Sequence, residues 1–345
     1  MFTRKLLLGA LMLAIGPLAA RADLLVTTRA SGLSIQLYSN SGALESGSSN
    51  LFGIWAESLD CLTFAQDGTV YAIGNTLGEG NLFRIPPGQK PSVSNGGGVI
   101  NVPIGLGIGS GYVFVGSTNA GFSIGPQTGV LEFNAATGAF VRNALPLSTP
   151  PSPHQAESDV QVGPDGELYV SAGGVVSRYA IASTGTLTLD TQLADGNAKI
   201  LFHAGSTDFY LRPLDANNAP TGTLFGHYDE DGNLLGTLQL TGAPSSVSFT
   251  SGVSSYAFGD DGILYAEVGS APALPGLPAG NHILRFNAQT GAYIDSILNS
   301  GSNEISNLNY VPSAIAANIS LVPEPASLLL LGSAIPVLYR RRRHR

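Results

Sequence analysis

A single cysteine, Cys61, is all that the 345-residue chain contains. That excludes any intrachain disulfide, so whatever folds here folds without covalent staples. Cys61 stands in Leu59-Asp60-Cys61-Leu62-Thr63-Phe64, in alternation with Leu59, and no histidine lies nearby in sequence. This reads as a buried strand cysteine rather than a nucleophile. Long amphipathic helices are missing too, since apolar residues nowhere keep a helical period over an extended window. His154, His203, His227, His282 and His344 form no H-x-H or H-x-x-x-H pair. Zinc chemistry on one helix is therefore excluded, while ligands drawn from separate segments are not. Positive charge is scarce in the body of the chain. Between Asp23 and Val322 there are 23 acidic and 8 basic residues, a net −15, against −8 for the whole sequence, whose basic ends mask the difference. Such a body argues against nucleic acid as a partner and against direct adhesion to anionic lipid. It suits solubility outside the cell or a cation-rich matrix.

The two ends carry what the body lacks. Arg4 and Lys5 precede the apolar stretch Leu6 to Ile15, Gly16-Pro17 breaks it, and Ala20-Arg21-Ala22 supplies small residues for cleavage. This is a secretory signal peptide over 1–22, too short for a membrane span, and the mature chain begins near Asp23. At the other end stand Val322-Pro323-Glu324-Pro325, then the uncharged Ala326 to Tyr339, then Arg340, Arg341, Arg342, Arg343, His344 and Arg345. As a helix the uncharged segment spans roughly 21 Å against a hydrocarbon core of roughly 30 Å. Snorkelling arginines and local thinning of the bilayer allow transient insertion, and Pro336 would kink the helix. The arginines stay cytoplasmic by the positive-inside rule, which leaves everything before Pro323 outside. The rival reading is an ordinary tail anchor after a Pro-rich linker.

The order Pro-Glu-Pro, hydrophobic stretch, arginine cluster resembles the PEP-CTERM sorting signal of Gram-negative bacteria. The resemblance covers 322–345 and implies an address rather than an activity. Its partner would be exosortase, a multi-pass membrane cysteine peptidase that removes the tail from an inner-membrane intermediate. The product would reach the cell surface or the extracellular space, in association with exopolysaccharide and biofilm.

Between the ends, short β-branched and aromatic runs alternate with turn residues, an all-β pattern. One phrase recurs as LDCLTFAQDGTVYAIG (59–74), SDVQVGPDGELYVSAG (158–173) and SSYAFGDDGILYAEVG (254–269). Each is a strand, an Asp-Gly turn (Asp67-Gly68, Asp165-Gly166, Asp261-Gly262) and a strand bearing Tyr71, Tyr169 or Tyr265. The turn supplies the positive-φ residue of a tight hairpin. A second phrase follows: NLFRIPPGQ (81–89), VVSRYAIASTG (175–185) and HILRFNAQTGAYI (282–294), with variants at 34–44 and 130–141. Two hairpins make a four-stranded unit, and units recur at roughly 45–50 residues, the period of propeller blades. Blades are expected near 55–93, 101–147, 157–193, 198–240 and 252–298. Leu24 to Phe52 pairs with Ile305 to Leu321 in a closing blade built from both ends, which removes exposed edges. This makes six blades, with seven open because 198–250 is degenerate. A pair of β-sandwiches or a β-helix is the alternative, and the period is too long for the latter. The phrases resemble the NHL and SMP-30-like propeller superfamily over most of 24–321, which sets the ectodomain at 23–321.

Chemistry is sparsely marked. Gly121-Phe122-Ser123-Ile124-Gly125 matches a nucleophile elbow, but Pro126 and a turn follow where a helix is needed. Tyr228 to Asn233 offers oxygens at alternating positions, yet Leu234 and Leu240 stand where a calcium loop needs Gly and an acid, so it reads as a hairpin turn. Ala56-Glu57-Ser58 and Ala156-Glu157-Ser158 each stand before an innermost strand. There Glu57 and Glu157 face either the mouth of a central channel, where two carboxylates hold Ca²⁺ and polarise an ester or lactone, or solvent between blades. Propeller lactonases place a divalent metal in such a channel. Two functions follow: a non-enzymatic surface or matrix propeller that needs no cofactor and binds polysaccharide or matrix protein, or a metal-dependent propeller hydrolase.

Overall fold

The computed structural model describes residues 23–28, 34–48, 56–76, 79–89, 91–94, 99–100, 102–118, 129–146, 159–172, 175–195, 198–203, 206–213, 222–247, 253–271, 274, 279–298, 305–312 and 315. The first strands are β1 (Asp23–Thr28), β2 (Ser34–Ser39) and β3 (Leu44–Ser48). Next come β4 (Ala56–Phe64), β5 (Val70–Thr76), β6 (Glu79–Ile85) and β7 (Ser92–Ser94). Then follow β8 (Val102–Gly109), β9 (Tyr112–Thr118), β10 (Gly129–Asn134) and β11 (Phe140–Pro146). The next four are β12 (Asp159–Val162), β13 (Leu168–Ala172), β14 (Val175–Ile181) and β15 (Leu187–Asp195). They lead to β16 (Ala198–Phe202), β17 (Phe209–Pro213), β18 (Leu224–Tyr228) and β19 (Leu234–Gln239). The last are β20 (Val253–Phe258), β21 (Ile263–Ala271), β22 (Gly280–Asn287), β23 (Tyr293–Leu298) and β24 (Ile305–Val311).

These strands pair into six four-stranded antiparallel sheets. Blade I is β24-β1-β2-β3, and blades II to VI take the remaining strands four at a time. The first strands β4, β8, β12, β16, β20 and β24 neighbour one another in a ring. The protein is a six-bladed propeller, and the seven-blade count does not apply. The 198–240 stretch forms an ordinary blade V without the Asp-Gly phrase. Blade I is closed by both chain ends, with Asp23 opposite Val311 and Val26 opposite Leu308.

The core is divided into wedges. Each of six apolar clusters straddles one seam between neighbouring blades. Leu25, Ile35 and Leu37 of blade I meet Leu59, Leu62 and Phe83 of blade II. The alternate residues Leu24, Val26 and Tyr38 turn the other way, onto Tyr265 and Ile283 of blade VI. Period-2 alternation thus feeds both faces of every blade, each buried Leu, Ile or Phe contributing about 1.5–3 kcal/mol. Cys61 is 8% exposed in the II/III cluster, as its place in the strand predicts.

The Asp-Gly turns work by division of labour. Gly68, Gly166 and Gly262 sit at φ 82, 81 and 76. Each preceding aspartate keeps an ordinary backbone and uses its carboxylate, Asp67 Oδ1 accepting from Thr69 N (2.8 Å) and Asp165 Oδ1 from Glu167 N (3.0 Å). Blade III departs from this with Ser110 and Gly111, both left-handed, in the two-residue turn between β8 and β9. Five outer strands also carry a bulge at one place, where the register with the third strand shifts, as between Glu132/Phe133 and Arg285/Phe286. A bulge twists an outer edge away from further pairing.

Candidate functional site

Every first-to-second and third-to-fourth strand connection lies on one face of the ring, and nearly all are tight turns. Every other connection leaves from strand ends on the opposite face, and the longest of these join β19 to β20 (240–252) and β11 to β12 (147–158). The turn face is where the blades are fastened. Arg84, Arg178 and Arg285 stand on third strands directly opposite Tyr71, Tyr169 and Tyr265. Each arginine reaches into the outer hairpin turn of the next blade. Arg84 Nε donates to Ala135 O (3.1 Å), Arg178 Nη1 to Glu230 O (2.5 Å) and Arg285 Nη1 to Asn40 O (3.0 Å). Carboxylates hold two of them in aim, Asp190 on Arg178 (2.8 Å) and Asp295 on Arg285 (2.6 Å). In blade III the position holds Glu132, and Arg142 from the outer strand binds it (2.9 Å) and donates to Thr184 O (3.4 Å). At seam V/VI the backbone does the fastening, with Thr241 N donating to Gly291 O and Tyr293 N to Thr241 O, both 2.9 Å.

Glycine makes the approach possible. A Cβ on Gly291 would lie 2.0 Å from Gln239 O, one on Gly232 2.6 Å from Leu193 O, and one on Gly42 2.8 Å from the Ile297 side chain. The tyrosines complete the clasp. Tyr71 Oη donates to Ala135 O (2.7 Å), Tyr169 Oη to Asp165 (2.8 Å) and Tyr265 Oη to Asp261 (2.6 Å). Burial pushes the Tyr169 and Tyr265 hydroxyls well above the usual phenol range, and the bonds to their aspartates push the same way. These clasp arginines were in plain view, each recurring within the second phrase just before Ile85, Tyr179 or Phe286.

The opposite face gathers buried polar groups at the strand ends that meet the long connections. Asp159, 3% exposed, begins β12. Its Oδ2 accepts from Ile200 N of blade V (2.9 Å), and its Oδ1 from Val160 N (2.9 Å) and Gln161 Nε2 (3.4 Å). Lys199 Nζ lies 3.7 Å from Asp159 and donates to Ile104 O of blade III (2.9 Å), so one ammonium ties three first strands. Across seam V/VI, Arg212, 2% exposed, stacks over the Tyr256 ring at 4.5 Å and donates to Gly222 O. Burial holds its pKa below the usual value. Burial also raises the Tyr256 hydroxyl, with Arg212 opposing and Glu267 adding to the rise. Glu267 and His282 are fully buried on the neighbouring strands β21 and β22. Nothing in the sequence marks these residues as buried.

The sequence-derived candidates fall otherwise. Glu57 lies inside β4 rather than ahead of it, and its side chain, together with all of Glu157, lies outside the described residues. So do the Gly121 to Gly125 elbow, the signal peptide, Pro323-Glu324-Pro325 and the terminal arginines. Asp229 closes a hairpin turn by accepting from Asp231 N and Asn233 N, as expected. Among the described residues no three His, Cys, Asp or Glu side chains come together as a metal ion requires, and no helix is long and apolar enough to cross a membrane.

No family model matches the chain, and no curated protein matches it. Solved structures do. A protein of unknown function from Bacteroides caccae is similar over 84% of this chain and 99% of its own, at 14% identity and a TM-score of 0.54. A Bacteroides fragilis protein provisionally named a 6-phosphogluconolactonase is similar over 85% of this chain and 98% of its own, at 12% identity and 0.54. A chain in a nidogen/laminin complex is similar over 85% and 99%, at 11% identity and 0.55. At such identities the likeness establishes the propeller fold and nothing finer.

Proposed function

We propose that the chain is an exported, exosortase-processed propeller that binds surface polysaccharide or matrix protein with its connection-bearing face. The observation that carries this reading is the direction in which the chain leaves the ring. The strand β24 ends at Val311 on the turn face, and the sorting signal lies downstream of it. A tail directed toward the inner membrane therefore points the opposite face, with its long connections, outward. The acidic charge of the body keeps such a surface soluble. Likeness of fold to a chain found in a nidogen/laminin complex fits a binding scaffold, though it carries no partner over.

The test is intact mass and location in hosts with and without exosortase. Replacing Pro323-Glu324-Pro325 with alanines blocks tail removal and leaves full-length protein in the inner membrane. A mutant trimmed and released like wild type would rule the sorting reading out. A second reading, a metal-dependent lactone hydrolase using Glu57 and Glu157, draws on likeness of fold to the Bacteroides fragilis protein. Calcium-dependent lactone hydrolysis abolished by Glu57→Gln or Glu157→Gln would favour it over binding alone.

A further inference from the structure

On the connection face one side chain reaches across the axial opening of the ring. Lys199 stands directly opposite Arg212 in the pairing of β16 with β17, so both start from the same face of blade V. Arg212 goes on to stack over Tyr256 of blade VI. Lys199 turns back across the ring to blade III, where its Nζ donates to Ile104 O (2.9 Å). Asp159 of blade IV stands beside it, with Oδ1 3.7 Å from the ammonium. Two features of blade III bring these groups together. The register of β8 with β9 passes from Pro103 opposite Ser117 to Gly105 opposite Gly116. Ile104 is therefore an unpaired bulge residue, and its carbonyl is open to the lysine. A Cβ on Gly105 would lie 2.1 Å from Val160 N and 2.9 Å from Asp159 Oδ1, so only glycine lets β12 begin this close to β8. Asp159 is 3% exposed, and the donors that bond it, Val160 N, Gln161 Nε2 and Ile200 N, are all neutral. Its charge calls for a cation. Of the other described bases, Arg84, Arg142, Arg178 and Arg285 lie on the turn face and Arg212 on Tyr256.

We propose that this mouth is a binding site for a primary ammonium, which the chain fills with its own, that of Lys199. The donor set selects the ion. One carboxylate and one carbonyl fall far short of the roughly six to eight oxygens that Ca²⁺ collects. An ammonium has only three N–H groups to place, and water takes what the protein leaves. The tether keeps the effective concentration of the lysine high, so the wild-type chain takes no free cation here. The axis is thus closed by an ion pair and a carbonyl drawn from blades III, IV and V. This holds whether or not the sorting and binding readings do.

Chemical rescue of the exported chain, followed by urea denaturation, tests the site. Lys199→Ala raises the unfolding constant at least about tenfold, because Asp159 and Ile104 O lose their partner. Millimolar propylammonium restores about half or more of the lost midpoint, whereas tetramethylammonium at equal ionic strength, which has no N–H, restores none. The wild-type midpoint responds to neither salt. Rescue disappears in the Lys199→Ala, Asp159→Asn double variant. Equal effects of the two salts on the alanine variant overturn the proposal, and so does rescue by calcium chloride alone. A second measurement needs no substitution. Acetic anhydride acylates Lys199 at least about tenfold more slowly in the folded chain than in urea, read by peptide mass. Equal rates overturn the proposal. A calcium-dependent rise in the wild-type midpoint that Asp159→Asn abolishes would overturn it in favour of the metal-dependent reading. A wild-type chain left untrimmed beside exosortase would overturn the sorting reading and leave this site standing.

Discussion

Gly88 and Gly291 hold the same place in their blades, each the left-handed residue of an outer hairpin turn, at φ 64 and 69. Their surroundings differ completely. Gly291 is pressed against the backbone of the preceding blade, whereas Gly88 faces open space. The same turn chemistry therefore serves two ends: in one blade glycine only permits the turn, and in the other it also permits contact between blades. A glycine demanded by φ alone tolerates alanine at modest cost, but one demanded by contact does not.

That contrast is open to direct attack. Gly291→Ala adds a clash with Gln239 O to the left-handed penalty and costs about 3 kcal/mol, against about 1 kcal/mol for Gly88→Ala, by urea denaturation. Equal losses would mean that contact between blades adds nothing. The arginine clasp comes next. Arg285→Ala removes the bonds to Asn40 O and Asp295 and costs about 2 kcal/mol in the same assay, and a loss below about 0.5 kcal/mol would mean that the clasp holds nothing.

The tyrosines set the alkaline limit. Burial raises the Tyr169, Tyr265 and Tyr310 hydroxyls, so the folded state holds these protons more tightly than the unfolded chain. Their contribution is complete below the ordinary phenol value and is lost as pH rises from about 10. Tyr265→Phe moves the alkaline unfolding midpoint upward while costing about 1 kcal/mol at neutral pH through the lost bond to Asp261. A lowered midpoint would refute this account. Smallest is Glu132, whose carboxyl burial raises while Arg142 lowers it by hydrogen bond and charge. Its folded pKa lies above the unfolded one, so the stability it contributes is complete at low pH and falls as pH rises through the folded value. Glu132→Gln flattens that slope by less than about 1 kcal/mol, read from urea midpoints between pH 4 and 7.

Much of the fold was legible because turn chemistry is local. The Asp-Gly and Thr-Gly turns announce themselves in the sequence, and their spacing places blades II, III, IV and VI within a few residues of the observed strands. Blade V was legible only by period, because Ser206 stands where its neighbours carry aspartate: Ser206 Oγ accepts from Asp208 N (3.1 Å). The clasps were half legible. Arg84, Arg178 and Arg285 recur visibly, but what they bind is main-chain oxygen in another blade, and carbonyls look alike in any sequence. The connection face was least legible, since burial of Arg212, Glu267 and His282 depends on strands far apart in the chain. Glu57 and Glu157 share a tripeptide, and a shared tripeptide fixes no distance between side chains.

Closure by the chain's own ends has a mechanical meaning. The C-terminus departs from the innermost strand, so a pull on the tail is delivered at the axis of the wheel and not at its rim. Tension along β24 loads its register with β1 in shear, from Asp23 opposite Val311 to Thr28 opposite Ile305. Many hydrogen bonds must then yield together, where peeling an outer strand would break them one at a time. A wheel hung from its hub resists drag on its outer blades, which is a useful property in anything tethered by its tail.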